Sequence, residues 1–139
     1  MRRFWPGFEL VLSRPTMFCW AGELRPKGQL YKVGVEWRPS NRPDVIMLSP
    51  KMRPRDGLAF IDIPHINLDP DNPDFSSMCL YDPDGDEWND SMFIADTIIP
   101  WAAEWLMYYE HWHLFGEWIG SGVGPETIRE RLNIAPVAK

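Results

Sequence analysis

The spacing of apolar residues changes its period near the middle of the chain, and this change limits the fold more than any other feature. In the first half, short runs alternate apolar and polar residues, as in "QLYKVGVEWR", where Val33, Val35 and Trp37 are apolar. Such alternation is typical of a β-strand with one buried face. After residue 90, apolar residues recur every three or four positions, which indicates an amphipathic helix. Strands followed by helical sequence predict an α+β fold.

Four segments of the first half have the pattern of strands. They are "FELVLS" at residues 8–13, "MFCWAGEL", "QLYKVGVEWR" and "VIMLSP", and the stretches "RPKG" and "PSNRPD" lie between them as turns. Consecutive strands joined by short turns pair with their neighbours in antiparallel order. The first half therefore predicts an antiparallel meander of three or four strands.

The helical segment begins after Asn89 or Asp90, either of which is a suitable N-cap, and ends at Gly116. Pro100 lacks a backbone N–H, so it either kinks this helix or begins a second one. A last short helix is expected in "GPETIRERLNI". We expect the tryptophans of the helical stripe to pack in the core, because each buries a large apolar area. The stripe consists of Ile94, Ile98, Trp101, Trp105, Tyr108 or Tyr109, and Trp112.

Residues 51–89 contain no long periodic segment, only clusters of Pro, Asp, Gly and Asn around "LAFIDI" and "MCLY". Long irregular stretches are uncommon inside compact domains and often have a function. We therefore predict that the functional residues lie in this long loop.

Length and charge limit the classes of protein and partner. A chain of 139 residues forms one core, so we expect one domain over residues 1–139. Residues 56–128 contain fifteen acidic residues and no Lys or Arg, so they repel phosphates, and nucleic acid is not an expected partner.

No apolar stretch is long enough to cross a membrane, and Pro6, Gly7 and Glu9 interrupt the N-terminal run where a signal peptide is apolar. We expect a cytoplasmic protein with reduced cysteines.

Two groups of possible metal ligands have simpler interpretations. The acidic run "DPDGDE" at residues 82–87 lacks the spacing of a calcium-binding loop and is better explained as a solvated turn. His111 and His113 are two residues apart on the predicted helix, so they point in different directions and cannot share a metal ion. No cofactor or metal is expected.

The two cysteines differ in their surroundings. Cys19 lies beside Trp20 in a predicted strand, and we interpret it as a packing residue. Cys79 lies between Met78 and Leu80, so packing is one interpretation for it as well. Its place at the end of the long loop and just before an acidic turn is also that of an exposed nucleophile. Both interpretations of Cys79 follow from the residues alone.

In their order along the chain, these segments resemble ubiquitin-conjugating enzymes. "WAGEL" followed by "YKVGVEWRPSNRPDVIMLSP" is similar to the strands of that family's meander. "IPHIN", "MCLY" and Trp88 stand where the family has its active-site loop, its catalytic cysteine followed by Leu, and a tryptophan. The spaced pattern "PH...CLY......W...TIIPW...WL..YE.W...GEW.G" is similar to bacterial ubiquitin-conjugating-enzyme-like proteins of type II CBASS antiphage operons, in the short arrangement where the conjugating protein stands alone.

The resemblance implies a UBC-like fold, with a four-stranded meander, a long active-site loop and C-terminal helices packed on the sheet. It also implies a transferase whose Cys79 accepts the C-terminal glycine of a partner as a thioester. In those operons the partner is a cGAS-like nucleotidyltransferase, and the reaction primes cyclic-oligonucleotide synthesis. By the same resemblance, His65 and Asn67 stabilise the oxyanion, although "PHIN" departs from the eukaryotic His-Pro-Asn order. Asp82 or Asp84 could orient the incoming amine.

One alternative from another class is a scaffold with the same fold that binds and regulates the nucleotidyltransferase without catalysis. The presence of Cys79 beside a loop that contains His and Asn favours the enzyme.

Overall fold

The computed structural model describes residues 5–39, 42–81, 88–89 and 92–119, which form an α+β structure. These residues contain one antiparallel sheet of six strands in the order β1-β2-β3-β4-β6-β5, and one long helix whose buried side joins the same core as the sheet. The strands are β1 (Glu9–Arg14), β2 (Met17–Leu24), β3 (Tyr31–Trp37), β4 (Asp44–Ser49), β5 (Ile66–Asn67) and β6 (Ser77–Met78); the helix is α1 (Ile98–Phe115), and short 3-10 turns occupy Phe60–Asp62 and Pro73–Phe75.

The first four strands are neighbours in the order of the chain, as the alternating sequence predicts. The side chains of Tyr31, Val33 and Val35 on β3 are buried, and Lys32 between them is exposed. This alternation places the apolar side chains of β3 on the face that packs against α1. Gly22 on β2 lies opposite Val33, and a Cβ atom at Gly22 would come within 2.5 Å of the Phe8 ring.

Strands β1–β4 follow the predicted antiparallel order, but the described sheet has six strands rather than four, because the stretch predicted as a long loop contains β5 and β6. Ile66 pairs with Met78, and Ser77 pairs with Ile46 of β4, so the two short strands extend the sheet beyond β4. Each strand has only two residues, which is too short to produce a recognisable alternation in sequence.

The predicted start of the helix is also wrong. Helix α1 begins at Ile98 with Thr97 as its N-cap, whereas Asn89 is not helical, and Asp90 lies outside the described residues. Pro100 belongs to the first turn of α1, where a backbone N–H has no intrahelical acceptor, so the missing donor costs no hydrogen bond there. The predicted end is confirmed, because Gly116 follows the helix in the left-handed conformation, with φ 77°.

The core lies between α1 and the sheet. Trp105 and Trp112 are buried, as predicted for the tryptophans of the stripe, but Trp101 is only half-buried. The buried residues of the helix are Ile98, Ile99, Ala102, Trp105, Leu106, Tyr109 and Trp112, and they join Val33, Val35, Val45 and Met47 of the sheet in one cluster.

The last short helix predicted in "GPETIRERLNI" lies outside the described residues. Within the described ranges, no helix is long and apolar enough to span a bilayer.

Candidate functional site

Strands β5 and β6 bring Cys79 and His65 together, although fourteen positions separate them in sequence. His65 directly precedes β5, and Cys79 directly follows β6. Since Ile66 pairs with Met78, the next pair in the antiparallel register is His65 with Cys79. The backbone N–H of Cys79 donates to the carbonyl oxygen of His65 over 2.8 Å. The candidate nucleophile therefore has a defined position at the end of a paired strand.

Cys79 and His65 line the same cavity, which has a volume of about 310 Å³. The cavity lies between the end of β6 and one side of α1, and it is open to solvent. Most of its other lining residues are aromatic, and one is acidic. Its described lining residues are His65, Cys79, Leu80, Trp101, Glu104, Trp105, Tyr108 and Trp118.

The thiol of Cys79 is half-buried and forms no disulfide. It donates to the carbonyl oxygen of Tyr81, with Sγ and O 3.5 Å apart. The hydroxyl of Tyr81 in turn donates to the carbonyl oxygen of Pro43 over 2.7 Å, and the guanidinium of Arg42 lies 5.7 Å from the centre of the Tyr81 ring. These contacts attach the segment after Cys79 to the residues that precede β4.

His65 is buried and has an unusual backbone conformation for a residue other than glycine, with φ 53°. Its carbonyl oxygen accepts a second hydrogen bond, from the indole Nε1–H of Trp105 over 2.8 Å. Its imidazole packs on Trp118, with 5.2 Å between the ring centres. Burial lowers the pKa of His65 below its usual value of 6.5, which favours the neutral ring near pH 7. A neutral imidazole can donate one hydrogen bond and accept one.

Asn67 has a different position from that of His65. Its side-chain amide donates to the hydroxyl oxygen of Ser77 over 3.1 Å and to the carbonyl oxygen of Met78 over 3.4 Å, so it links β5 to β6. Asn67 is exposed and is not among the described residues that line the cavity. The structure therefore brings Cys79 together with His65. It places Asn67 within β5, where its amide group bonds to β6.

Sequence reasoning overlooked the contribution of α1 to this cavity. Trp101, Glu104, Trp105 and Tyr108 are spaced three and four residues apart, so they lie on one side of the helix. Their spacing is present in the sequence, but it equally fits tryptophans that pack only in the core. The charged Glu104, which lies between Trp101 and Trp105, is the signal that this side of the helix is partly exposed.

Other candidate residues lie elsewhere. Asp82 and Asp84, together with the rest of the acidic run at residues 82–87, lie outside the described residues. Cys19 is a half-buried thiol on β2 and lines a second cavity with Trp20 and Phe75. Burial, followed by the nearby Glu36 carboxylate, raises the pKa of Cys19. This thiol differs from Cys79 because it lies beside no histidine among the described residues of its cavity.

These features define an α+β protein with a half-buried thiol and a buried imidazole in an aromatic cavity at the end of its sheet. A family model described as "Type II CBASS E2 protein" matches residues 1–125, and the chain belongs to this family of E2-like CBASS proteins. No curated protein matches the sequence.

Proposed function

We propose that the protein is a ubiquitin-conjugating-like acyl transferase of UBC-like fold that forms a thioester between Cys79 and the C-terminal glycine of a partner protein. The observation that carries the proposal is the half-buried Cys79 thiol in an open cavity that it shares with the imidazole of His65. Membership of the E2-like CBASS family supports it.

The first step is transthioesterification from a donor thioester, or attack on the acyl adenylate of the tail. The Cys79 thiolate attacks the glycyl carbonyl of an activated tail, and a new C–S bond forms. The bond to the leaving thiolate, or to the leaving phosphate oxygen of the adenylate, breaks when the tetrahedral intermediate collapses. In a second step an amine attacks the thioester, a C–N bond forms, and Cys79 leaves as the thiol. Water in place of the amine releases the tail as a carboxylate.

His65 has the better position for oxyanion stabilisation, because its neutral ring lines the cavity and can donate one hydrogen bond. Asn67 supports the same reaction either as a second donor or by holding β6 in place through Ser77. Loss of one oxyanion donor slows acyl transfer by about 10²–10³-fold, so substitutions of His65 should reduce the reaction without abolishing it.

In this proposal the acyl donor is the C-terminal tail of a cGAS-like nucleotidyltransferase, and the reaction takes place in the cytoplasm, where thiols remain reduced. The antiphage context of the family supports a partner from the same operon. Attachment or release of the tail would then regulate synthesis of a cyclic-oligonucleotide messenger.

The chemistry can be tested without the partner. The protein is mixed with a peptide that ends in glycine and carries a small-thiol thioester, and intact mass is followed over time. We expect an adduct that dithiothreitol removes, that Cys79→Ala abolishes and that the matched variant Cys19→Ala retains. Glutathione serves as the reference thiol. An acyl-transfer rate at Cys79 no faster than that of glutathione, in protein whose Cys79 still reacts with iodoacetamide, would contradict the proposal.

The same variants distinguish the enzyme from a scaffold. With the nucleotidyltransferase of the same operon, an enzyme gives a thiol-sensitive adduct on a non-reducing gel that requires Cys79. A scaffold gives a reversible complex that is unchanged by Cys79→Ala.

A further inference from the structure

The cavity that contains Cys79 also contains a carboxylate with a defined hydrogen-bond donor. Glu104 and Tyr108 lie one turn apart on α1, and the Tyr108 hydroxyl donates to Glu104 Oε1. The hydrogen bond to Glu104 is the main cause of a raised pKa of Tyr108, so the phenol stays protonated and keeps its role as donor. Tyr108 thereby holds Glu104 on the side of the helix that faces the cavity.

The remaining surface of the cavity suits a cation with an apolar stem. Three tryptophan rings line it, and the ring of Trp118 lies 5.2 Å from Trp105 and 5.9 Å from Tyr108. Aromatic faces attract alkylammonium groups and also pack against methylene chains. The described lining residues include no Lys or Arg, and Glu104 is the acidic one among them. An alkylamine fits this combination better than a carboxylate or a phosphate.

We propose that Glu104, positioned by Tyr108, binds the ammonium group of the acceptor amine in the Cys79 cavity and makes the second step of the reaction selective for alkylamines such as a lysine side chain. This inference rests on the proposed thioester transfer and adds the acceptor site to it. A cavity of about 310 Å³ has room for an unbranched alkylamine beside the thioester.

The amine reaches Glu104 as an ammonium ion and loses one proton to water before it can attack. Its nitrogen then forms the C–N bond to the glycyl carbonyl, and the C–S bond to Cys79 breaks. The second proton leaves the nitrogen and passes to the departing sulfur, so that the products are an amide, the Cys79 thiol and one proton in solution. Glu104 contacts the substrate throughout and is not consumed.

The test separates loading of Cys79 from its discharge. Wild type, Glu104→Gln, Tyr108→Phe and the charge-matched control Glu23→Gln are first acylated with the glycyl-peptide thioester, and excess donor is removed. Glu23 is exposed on β2 and is not among the described lining residues of the cavity. Discharge is then followed by mass with Nα-acetyl-lysine, whose ε-amine is cationic, and with hydroxylamine, which is neutral near pH 8.

We expect Glu104→Gln to load normally and to lose about fivefold or more in discharge to Nα-acetyl-lysine, because an exposed carboxylate binds a cation with modest energy. The loss should appear mainly in the concentration of Nα-acetyl-lysine that gives half-maximal rate. Discharge to hydroxylamine should be unchanged, since this nucleophile carries no positive charge. Tyr108→Phe should show a smaller loss of the same kind, and Glu23→Gln should match wild type.

Two results would overturn the inference alone. The first is equal discharge to Nα-acetyl-lysine by loaded wild type and loaded Glu104→Gln. The second is an equal loss with both nucleophiles, which indicates a structural role for Glu104. Failure of the wild type to load at all overturns the proposed function, and the acceptor site falls with it. Normal folding of each variant is checked by its thermal unfolding.

Discussion

The backbone N–H of Cys79 donates to the carbonyl oxygen of His65, and the two atoms are 2.8 Å apart. The same carbonyl accepts the indole N–H of Trp105, so one oxygen atom joins helix α1 to Cys79, which directly follows β6. The position of the thiol therefore depends on how the helix packs against the sheet. A substitution on α1 can change the chemistry of Cys79 without touching its sulfur.

Trp105→Phe tests this dependence, because it removes the indole N–H and keeps an aromatic ring. Trp105 is buried, so the variant loses apolar contact area as well as the hydrogen bond, and we expect it to cost about 1–3 kcal/mol of unfolding free energy, measured in urea. We expect the rate of acyl transfer to Cys79 to fall by more than the unfolded fraction explains. The control is Trp20→Phe, because Trp20 lines the second cavity with Cys19. This variant should leave the rate unchanged. An unchanged rate in Trp105→Phe would show that the helix does not position Cys79.

Gly22 on β2 allows the ring of Phe8 to pack closely on the sheet. A Cβ atom there would come within 2.5 Å of two ring atoms of Phe8, which is itself buried. Gly22→Ala should therefore destabilise the protein by about 1–3 kcal/mol, as overpacking of a core does. The control is Gly28→Ala, because nothing lies within 4 Å of a Cβ atom at that position. Equal urea midpoints for the two variants would mean that Phe8 moves aside without cost.

His65 combines a left-handed backbone with a side chain in the cavity, and two substitutions separate these features. Asn adopts the left-handed conformation more readily than Ala, so His65→Asn should be more stable than His65→Ala by about 1 kcal/mol. Both variants lose the imidazole, and both should acylate Cys79 more slowly than wild type. Urea unfolding and the mass assay measure the two effects independently. Equal stability of the variants would indicate that the backbone relaxes when the ring is removed.

The histidines also predict how stability depends on pH. Burial is the main cause that lowers the pKa of both His65 and His113 in the folded protein below the usual 6.5. As the pH falls, the unfolded chain therefore binds protons at these histidines before the folded protein does. The contribution of the neutral rings to the unfolding free energy is lost below about pH 6.5. We expect the unfolding free energy to decrease between about pH 7.5 and 5.5.

The matched variants for this pH prediction are His65→Asn and His113→Asn. Each should reduce the decrease in stability over the same pH range, and the double variant should reduce it further. The measurement is a series of urea unfolding curves at several pH values. A decrease as large in the double variant as in wild type would assign the pH dependence to other groups.

The sequence predicted those parts of the fold that have strong local signals. The alternation in β3 and the glycine that ends α1 are such signals, and both predictions are confirmed. Strands β5 and β6 could not be predicted, because two residues carry no period and their pairing depends on contacts across the sheet. For the same reason, the sequence could suggest His65 and Cys79 singly but could not show that their backbones are hydrogen-bonded. The sequence cannot locate the start of α1, because Ile94 continues the apolar spacing in the turn that precedes the helix.

Asn67 has two candidate roles, to pair β5 with β6 and to donate a hydrogen bond to the oxyanion, and comparison with Ser77 distinguishes them. Both hydrogen bonds of the Asn67 amide go to β6, so we expect its main role to be the pairing of β5 with β6. Asn67→Ala and Ser77→Ala should each cost about 1 kcal/mol in urea unfolding, and the double variant should cost less than their sum, because both single changes remove the same hydrogen bond. The two single variants should then slow acylation of Cys79 to the same small extent. A rate for Asn67→Ala about 10²-fold below that for Ser77→Ala would instead identify Asn67 as an oxyanion donor.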